Sequence, residues 1–278
     1  MTSRQRILCL GLALGFVTIA AGHPKADDVL PTLQPHPGLP PGYLSQAARP
    51  DSMALLPPPP ADGSAALAQD EQISRADLAL QGAPRWRLAG MDANLSFPWA
   101  AGDFVCALGA SIALRDTPHL YLLLRRTLAD AELSARAAKD NYRRPRPFLA
   151  NKAPTCTPGA EDRLAQEGSY PSAHATIGWI WALILSEISP EQAQAILARG
   201  QAFAQSRVIC NVHWESDVIE SRSLATAVVA ELHVDPVFLA DLDAAKSELA
   251  AVRAKKLAPQ RDCRFEADAL AQQLPQGP

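Results

Sequence analysis

The sequence contains few aromatic residues and few cysteines, and its positive and negative charges nearly cancel. Aromatic residues make up 6% of the 278 positions, and the net charge at pH 7 is −3. A nucleic-acid-binding domain normally carries a clear basic excess, so we expect no nucleic-acid partner and expect basic side chains to act only locally. Long apolar runs are also missing, because the apolar segment 7–21 is shorter than the roughly 20 residues that cross a membrane. We therefore expect no membrane association of the mature chain.

The N-terminal segment has the pattern of an export signal. Arg4 and Arg6 precede the apolar segment 7–21, and small residues occupy positions 20–22. A positive start, a short apolar stretch and small residues before a cleavage point are typical of a secretory signal peptide. We predict that residues 1–22 are a signal peptide and that the protein is periplasmic or secreted. A retained N-terminal anchor is the alternative.

Four of the five cysteines lie beyond the predicted signal peptide. These are Cys106, Cys156, Cys210 and Cys263. An even number of cysteines in an exported chain permits two disulfides, and four cysteines allow three different pairings. No two of them have the Cys-x-x-Cys spacing of a zinc site, so we expect neither a metal nor another cofactor.

Proline and helix signals divide the rest of the chain into three parts. We predict a proline-rich extended arm over residues 23–50, one domain over residues 51–255 and a C-terminal tail over residues 256–278. Strict alternation of apolar and polar residues, which is the pattern of a strand, is hard to find. We therefore predict an all-α fold that consists of a single helical bundle.

Capping residues mark the expected helix boundaries. Thr117-Pro118 and Asp235-Pro236 each place a cap before a proline in the first turn. Ser189 begins a capping-box pattern, and we expect Gly200 to end or weaken the helix that follows. The apolar segment 177–188 spans only about a dozen residues, so it predicts a buried core helix rather than a membrane span.

Two short segments carry residues that suit the binding of an anion. Residues 139–147, KDNYRRPRP, place several cations where proline is expected to end a helix, although a solvated basic turn is the plainer interpretation. Residues 168–174, GSYPSAH, place a serine cap and a histidine at a helix start, where backbone N–H groups bind anions. A capping serine with an incidental histidine is the alternative there.

A third segment, residues 206–217, contains a histidine–aspartate pair. His213 and Asp217 are four positions apart and would share a face of a helix. A carboxylate on one imidazole nitrogen leaves the other nitrogen as a nucleophile or base, and the guanidinium of Arg207 suits a phosphate oxygen. A surface ion pair is the simpler interpretation of this segment alone.

Together, and in this order, the three segments resemble the signature of the phosphatidic acid phosphatase type 2 (PAP2) superfamily, K-x6-R-P, P-S-G-H and S-R-x5-H-x3-D. The matching residues are Lys139, Arg146, Pro147, Pro171, Ser172, His174, Ser206, Arg207, His213 and Asp217. The chain between residues 51 and 251 is also similar to the class A bacterial non-specific acid phosphatases. This resemblance implies a helical fold of the PAP2 and vanadium haloperoxidase type, a periplasmic or secreted location, metal independence and a homo-oligomer.

The resemblance and the chemistry of the residues imply the same roles toward a phosphomonoester substrate. The expected phosphate-binding residues are Lys139, Arg146, Ser172, Ala173 and Arg207. His213, oriented by Asp217, is the expected nucleophile that forms a phosphohistidine, and His174 is the expected general acid. These roles predict an acid phosphatase with a broad substrate range.

Three other functions are compatible with parts of the pattern. A vanadium-dependent haloperoxidase resembles the same signature, and a membrane lipid phosphatase would need several long apolar spans that the sequence lacks. A catalytically weakened phosphate-binding homologue is suggested by Ala173, where the family has glycine, and by Ala175, where it usually has threonine. A positive φ at Ala173 would strain the loop, whereas a helical conformation would accept alanine, and we favour the helical one.

Overall fold

The computed structural model describes residues 39–275. The predicted signal peptide, the first part of the predicted arm and the last three residues lie outside the described residues. The α-helices are α1 (Ser52–Leu55), α2 (Ala65–Asp77), α3 (Pro84–Asp92), α4 (Val105–Leu108), α5 (Pro118–Tyr142), α6 (Pro147–Asn151), α7 (Glu161–Ala165), α8 (Ala173–Ile188), α9 (Ala193–Ile209), α10 (Glu215–Leu232), α11 (Pro236–Ala254) and α12 (Cys263–Leu270). Residues 39–275 contain no strand, which confirms the prediction of an all-α fold.

Helix α8 forms the centre of the bundle. It is apolar on nearly every face, and it packs against α5, α9, α10 and α11. Ile177, Ile180 and Trp181 have no exposed surface. A helix that is apolar all round belongs in a core, so the prediction for residues 177–188 is confirmed.

Within residues 39–275 no single helix is both long and apolar enough to cross a membrane. Helices α10 and α11 meet the two criteria only as a pair, and a bend of 96° separates them.

Two of the predicted helix starts are confirmed, one by its proline and the other by its capping contact. Helix α5 begins with Pro118 in its first turn, directly after Thr117. The carboxylate of Asp235 accepts a hydrogen bond from the amide of Phe238 at 2.8 Å, at the start of α11. In both cases a local side chain or a proline provides what the first turn needs, which is why the sequence alone located them.

The expectation that Gly200 ends or weakens its helix is wrong. Helix α9 runs without a break from Ala193 to Ile209. A Cβ atom at Gly200 would lie 2.5 Å from Cβ of Ala182 on α8. The glycine therefore permits the close approach of α8 and α9, and this packing outweighs its weak helix propensity.

The four cysteines form two disulfides, which selects one of the three possible pairings. Cys156 pairs with Cys210, with the Cα atoms 4.8 Å apart, and so ties the loop before α7 to the end of α9. Cys106 pairs with Cys263, with the Cα atoms 5.4 Å apart, and so ties α4 to the start of α12.

The segments on either side of the predicted domain pack against the bundle. In the predicted arm, Tyr43 and Leu44 are buried, and their amides donate to the carboxylate of Asp130 at 2.8 and 3.0 Å. In the predicted tail, α12 follows Arg261, whose guanidinium donates to Asp103 at 2.7 Å. The end of the predicted arm and the start of the predicted tail therefore contact the predicted domain.

Candidate active site

The three signature segments converge on one pocket with a volume of about 490 Å³. It lies where the C-terminal ends of α5 and α9 meet the N-terminal end of α8 and the loop before α10. The predicted site residues in its wall are Lys139, Arg146, Ala173, His174, Arg207 and His213. Ser172 and Asp217, the other two, lie directly behind this wall and have no exposed surface.

Lys139 lies in the last turn of α5. The helix ends at Tyr142 because Arg143 has a left-handed backbone conformation, with φ of 42°, and its amide donates to the carbonyl of Lys139 at 3.0 Å. Proline was expected to end this helix, but the last helical residue, Tyr142, comes three residues before Pro145. A left-handed residue after the last turn is a common helix terminus, and it turns the chain so that Arg146 returns to the pocket.

Three cations of the pocket have very different numbers of protein partners. The ammonium group of Lys139 donates to the carbonyl of Gly168 at 2.8 Å. The guanidinium of Arg146 donates to the carbonyls of Leu164 at 2.8 Å and Val212 at 2.9 Å. Nε and Nη1 of Arg207 are buried and make no hydrogen bond within the part of the chain that the structure describes. Arg207 therefore has donors to offer to a ligand.

Crowding of like charge is visible in the pKa values of these cations. Burial, followed by repulsion from Arg146, lowers the pKa of Lys139 to about 7 and that of Arg207 to about 9. Burial also lowers the pKa of Arg146 to about 10. A bound phosphate dianion would oppose all three shifts, so this arrangement is suited to an anion.

His213 and Asp217 are paired, but not on a helix face as expected. His213 precedes α10, and Asp217 lies in the first turn of that helix. Oδ2 of Asp217 accepts from the amide of Trp214 at 3.0 Å and lies 3.3 Å from Nδ1 of His213. The pairing is correct, whereas the assumed geometry is wrong, because the aspartate caps the helix start and meets the histidine in the preceding loop.

The two ring nitrogens of His213 have different partners. Nδ1 faces the carboxylate of Asp217, and Nε2 lies 3.0 Å from Nη1 of Arg146. A guanidinium only donates, so Nε2 is the acceptor and Nδ1 carries the hydrogen. Burial, followed by the charges of Arg146, Lys139 and Arg207, lowers the pKa of His213 well below its ordinary value of 6.5. The ring is therefore held neutral.

Arg144 and Asp70 belong to the site, although the sequence analysis gave them no role. Nη1 of Arg144 donates to Oδ1 of Asp217 at 2.6 Å, and its Nη2 donates to Asp70 at 2.7 Å. Burial raises the pKa of Asp217, and the charge of Arg144 opposes that shift. Arg144 lies in the basic segment 139–147, which was a usable signal, but nothing in the sequence pointed to Asp70.

Ser172 and Ala173 begin α8 as the sequence predicted. The hydroxyl of Ser172 accepts from the amide of Ala175 at 3.2 Å and thereby caps the helix. Ala173 is the first helical residue, and it is not among the residues with positive φ. The favoured helical conformation is confirmed, and Ala173 lines the pocket without the backbone strain that a positive φ would bring.

His174 lies in the first turn of α8, on the pocket wall. Its Nε2 is 2.7 Å from the carbonyl oxygen of Asp92, and its ring stacks on Phe203 with 5.3 Å between ring centroids. Asp92 lies 82 positions earlier in the chain. No local pattern could have shown this contact.

The other described histidines are far from this chemistry. His119 pairs with Asp241 at 3.0 Å and His233 pairs with Glu187 at 2.7 Å, and neither histidine lines the pocket. His23 and His36 lie outside the described residues.

Comparison with known proteins identifies the family. Residues 119–238 match the PAP2 superfamily. The non-specific acid phosphatase of Providencia stuartii is 40% identical over 252 residues, which cover 90% of this chain and 99% of that protein. The acid phosphatase of Zymomonas mobilis is 40% identical over 209 residues, covering 75% of this chain and 79% of that protein.

A third relative covers as much of this chain as the first. The non-specific acid phosphatase of Salmonella typhimurium is 37% identical over 250 residues, covering 90% of this chain and 93% of that protein. The PAP2 match over residues 119–238 includes the three segments that build the pocket. The chain therefore belongs to the PAP2 superfamily and, within it, to the bacterial non-specific acid phosphatases.

Proposed function

We propose that this acid phosphatase hydrolyses phosphomonoesters by transferring the phosphoryl group to Nε2 of His213. One observation carries the proposal, namely that Nε2 accepts from Arg146 at 3.0 Å while Nδ1 faces Asp217 at 3.3 Å. This tautomer presents a lone pair beside the cations that would bind the phosphoryl oxygens. A neutral imidazole with a carboxylate on its far side is the usual form of an activated histidine.

The proposed reaction has two steps, transfer of the phosphoryl group to His213 and hydrolysis of the phosphohistidine. In the first step the Nε2 lone pair of His213 bonds to phosphorus, the ester P–O bond breaks, and His174 protonates the leaving oxygen. In the second step water attacks phosphorus, the N–P bond breaks with its electron pair returning to Nε2, and His174 accepts a proton from the water. The products are an alcohol and inorganic phosphate.

We also propose that the enzyme needs no metal ion. Lys139, Arg146 and Arg207 supply the positive charge that stabilises the phosphoryl oxygens in the transition state. Within residues 39–275 no group of three or more histidine, cysteine, aspartate or glutamate side chains is placed to hold a metal. Dialysis against EDTA should leave the hydrolysis of p-nitrophenyl phosphate unchanged. A rate that disappears on dialysis and returns only with zinc or magnesium would contradict metal independence.

The covalent intermediate is the direct test of the mechanism. A substrate labelled on its phosphoryl group, mixed with enzyme and quenched within one turnover, should leave label on the protein. A phosphohistidine is labile in acid and stable in alkali, whereas a phosphoserine has the opposite behaviour. Label that survives acid, or no label under conditions where turnover is measured, would exclude the proposed nucleophile.

We propose that the enzyme acts in the periplasm or outside the cell. The charged and apolar pattern of residues 1–22 supports export, and the two disulfides suit an oxidising compartment. N-terminal sequencing of the protein from a fractionated culture should find a mature chain that begins near residue 23. Recovery of the full chain from the cytoplasm would contradict export.

A broad substrate range and a homo-oligomer complete the proposal. Beyond the cations, the pocket wall combines the apolar side chains of Leu95, Phe97 and Ile177 with the charge of Arg125, which favours no single leaving group. Aryl, alkyl, sugar and nucleoside phosphates should therefore all be hydrolysed, with kcat/KM values within a few orders of magnitude. Sedimentation analysis should give a mass that is a multiple of the single chain.

A further inference from the structure

The contact of His174 with the carbonyl oxygen of Asp92 determines how this ring handles protons. The carbonyl oxygen lies 2.7 Å from Nε2 and can only accept, so Nε2 carries a hydrogen in both charge states of the ring. The second proton is therefore gained and lost at Nδ1. The stacking on Phe203, with ring planes 15° apart, fixes the plane of the ring. The position of the Asp92 carbonyl therefore sets the direction of Nδ1.

The carboxylate of Asp92 is itself held rigidly. It lies at the C-terminal end of α3 and is only 1% exposed. Arg199 on α9 pairs with both of its oxygens, with Nη2 to Oδ1 at 2.5 Å and Nη1 to Oδ2 at 3.2 Å. Ser206 donates to Oδ2 at 2.6 Å. A bidentate pair with an additional hydroxyl contact fixes both the distance and the orientation of the aspartate.

Further contacts hold these two partners in place. The guanidinium of Arg199 forms a second ion pair with Glu266 on α12, at 3.3 Å. The hydroxyl of Ser206 accepts from Arg85 on α3 at 2.9 Å. Ser206 is part of the family signature, yet it does not line the pocket. Its hydroxyl group contacts Asp92 instead, so the role of this signature residue is to hold Asp92 in position.

We infer that Asp92 is a positioning residue for the general acid, and that its buried pairing with Arg199 and Ser206 holds the carbonyl oxygen that orients His174. This inference rests on the acid role of His174 in the proposed function. Asp92 touches no reacting atom, so its positioning effect should appear in the step that His174 serves. Its charge also favours the charged form of Arg207, but an effect on phosphate binding is common to all substrates and cancels in a comparison of leaving groups. Protonation matters for a poor leaving group and matters little for a good one. The preference for good leaving groups is therefore the quantity to measure.

The experiment compares kcat/KM for p-nitrophenyl phosphate with kcat/KM for methyl phosphate, and takes their ratio. General acid catalysis contributes on the order of 100-fold or more, so His174→Ala should raise this ratio by about that factor. Asp92→Asn retains the backbone carbonyl group that contacts His174 but removes the side-chain charge that holds residue 92 in place. We expect the ratio to rise about tenfold. The inhibition constant for inorganic phosphate should stay within about twofold of the wild type, since the phosphate-binding cations are untouched.

Two further variants show whether a change in the ratio comes from unfolding or from any disturbance of a buried aspartate. Arg199→Lys keeps the positive charge but loses the planar fork, and it should also raise the ratio while the chain still folds. Asp130→Asn is the matched control, because Asp130 is also buried but accepts from the amides of Tyr43 and Leu44 rather than from Arg199. It should leave the ratio unchanged even if it lowers the melting temperature.

The double variant separates the positioning role from the proposed mechanism. In the His174→Ala background, Asp92→Asn should raise the ratio no further, because the group that it positions is gone. If His174→Ala raises the ratio but Asp92→Asn and Arg199→Lys do not, the positioning role is overturned and the acid role stands. An equal rise with and without His174 also overturns the positioning role. If His174→Ala leaves the ratio unchanged, the acid role and this inference both fall.

Discussion

The two histidines of the pocket have opposite surroundings. His213 is 4% exposed, with a carboxylate on one nitrogen and a guanidinium on the other. His174 is partly exposed, with a neutral carbonyl on one nitrogen and an aromatic ring against its face. The cations around His213 oppose its protonation, whereas the carbonyl beside His174 accepts from the neutral and from the protonated ring. The same residue type is thereby suited to two roles, a nucleophile and an acid.

The largest effects on turnover and on the phosphoenzyme are expected when either histidine is removed. His213→Ala should abolish both turnover and the acid-labile phosphoenzyme, a loss of roughly 1,000-fold or more, because it removes the nitrogen that forms the intermediate. His174→Ala should form the phosphoenzyme from p-nitrophenyl phosphate, since that leaving group needs little protonation. Quenched labelling of both variants checks this. Labelled protein from His213→Ala would place the nucleophile elsewhere.

Exchange of the carboxylate beside His213 should have the next largest effect. Asp217→Asn would place an amide donor opposite Nδ1 and favour the tautomer with hydrogen on Nε2, which removes the attacking lone pair. We expect kcat/KM to fall by about 100-fold or more, as for other misoriented catalytic histidines.

The matched control for Asp217 is Asp70→Asn. Both aspartates pair with Arg144, at 2.6 and 2.7 Å, but only Asp217 contacts His213. The control should lose less than about tenfold in kcat/KM. Equal losses in the two variants would mean that Arg144 alone, and not the tautomer of His213, accounts for the effect.

The pH profile of kcat/KM should reflect the protonation states that the two histidines require. His213 must be neutral to attack, and His174 must be protonated to donate. The pKa of His213 is well below 6.5, so the ring stays neutral and reactive as the pH falls, and kcat/KM should decline only below that lowered pKa. On the acid side the role of His174 is supported, since it must be protonated to donate, and on the alkaline side Lys139, with a pKa of about 7, loses its charge. A maximum on the acid side of neutrality is expected in kcat/KM measured at constant ionic strength. A rate that rises steadily into alkaline solution would contradict this division.

The cationic surroundings of His213 should also reduce stability. Arg207→Met removes two buried donors that lack protein partners and relieves repulsion from Arg146, so the free energy of unfolding without phosphate should rise by about 1–3 kcal/mol. Added phosphate should raise the melting temperature of the wild type and have little effect on the variant. Arg115→Met, at an exposed position, is the control and should change neither quantity. A variant less stable than the wild type without phosphate would refute the expected repulsion.

The smallest effect is expected at the start of α8, between the two histidines. Ala173 already has a helical conformation, so Ala173→Gly should lower the free energy of unfolding by about 0.5–1 kcal/mol through backbone entropy. The change in kcat/KM should be less than about tenfold. Steady-state kinetics and denaturant unfolding decide the question. A larger gain in kcat/KM would identify the alanine methyl group as an obstacle to phosphate and this chain as a weakened phosphatase.

Much of the fold and of the site could be predicted because the signals are local. The cap at Ser172 and the pair of His213 with Asp217 each depend on residues within four positions of one another. Such contacts form whenever a helix starts there, so spacing in the sequence is enough to predict them. The same holds for the apolar segment 177–188, whose composition alone requires burial.

Two predictions about helix boundaries failed, for different physical reasons. Gly200 was expected to end or weaken α9, yet the packing of α9 on Ala182 of α8 requires a glycine there. His213 was expected on a helix, but the helix begins two residues later, at Glu215. At Gly200 the packing of α9 on α8 outweighs the weak helix propensity of glycine. At His213 the reason is local, because Asp217 accepts from the amide of Trp214 and caps the helix start there.

The sequence by itself determined the all-α class, the order of the three signature segments and the types of residue that chemistry at phosphorus needs. The tertiary structure alone decided the pairing of Cys156 with Cys210, the contact of Arg144 with Asp70 and the contact of Asp92 with His174. The partners in these pairs are 54, 74 and 82 positions apart. The physical reason is that helix caps depend on neighbouring residues, whereas contacts across the bundle exist only after the helices have packed and set the distances between them.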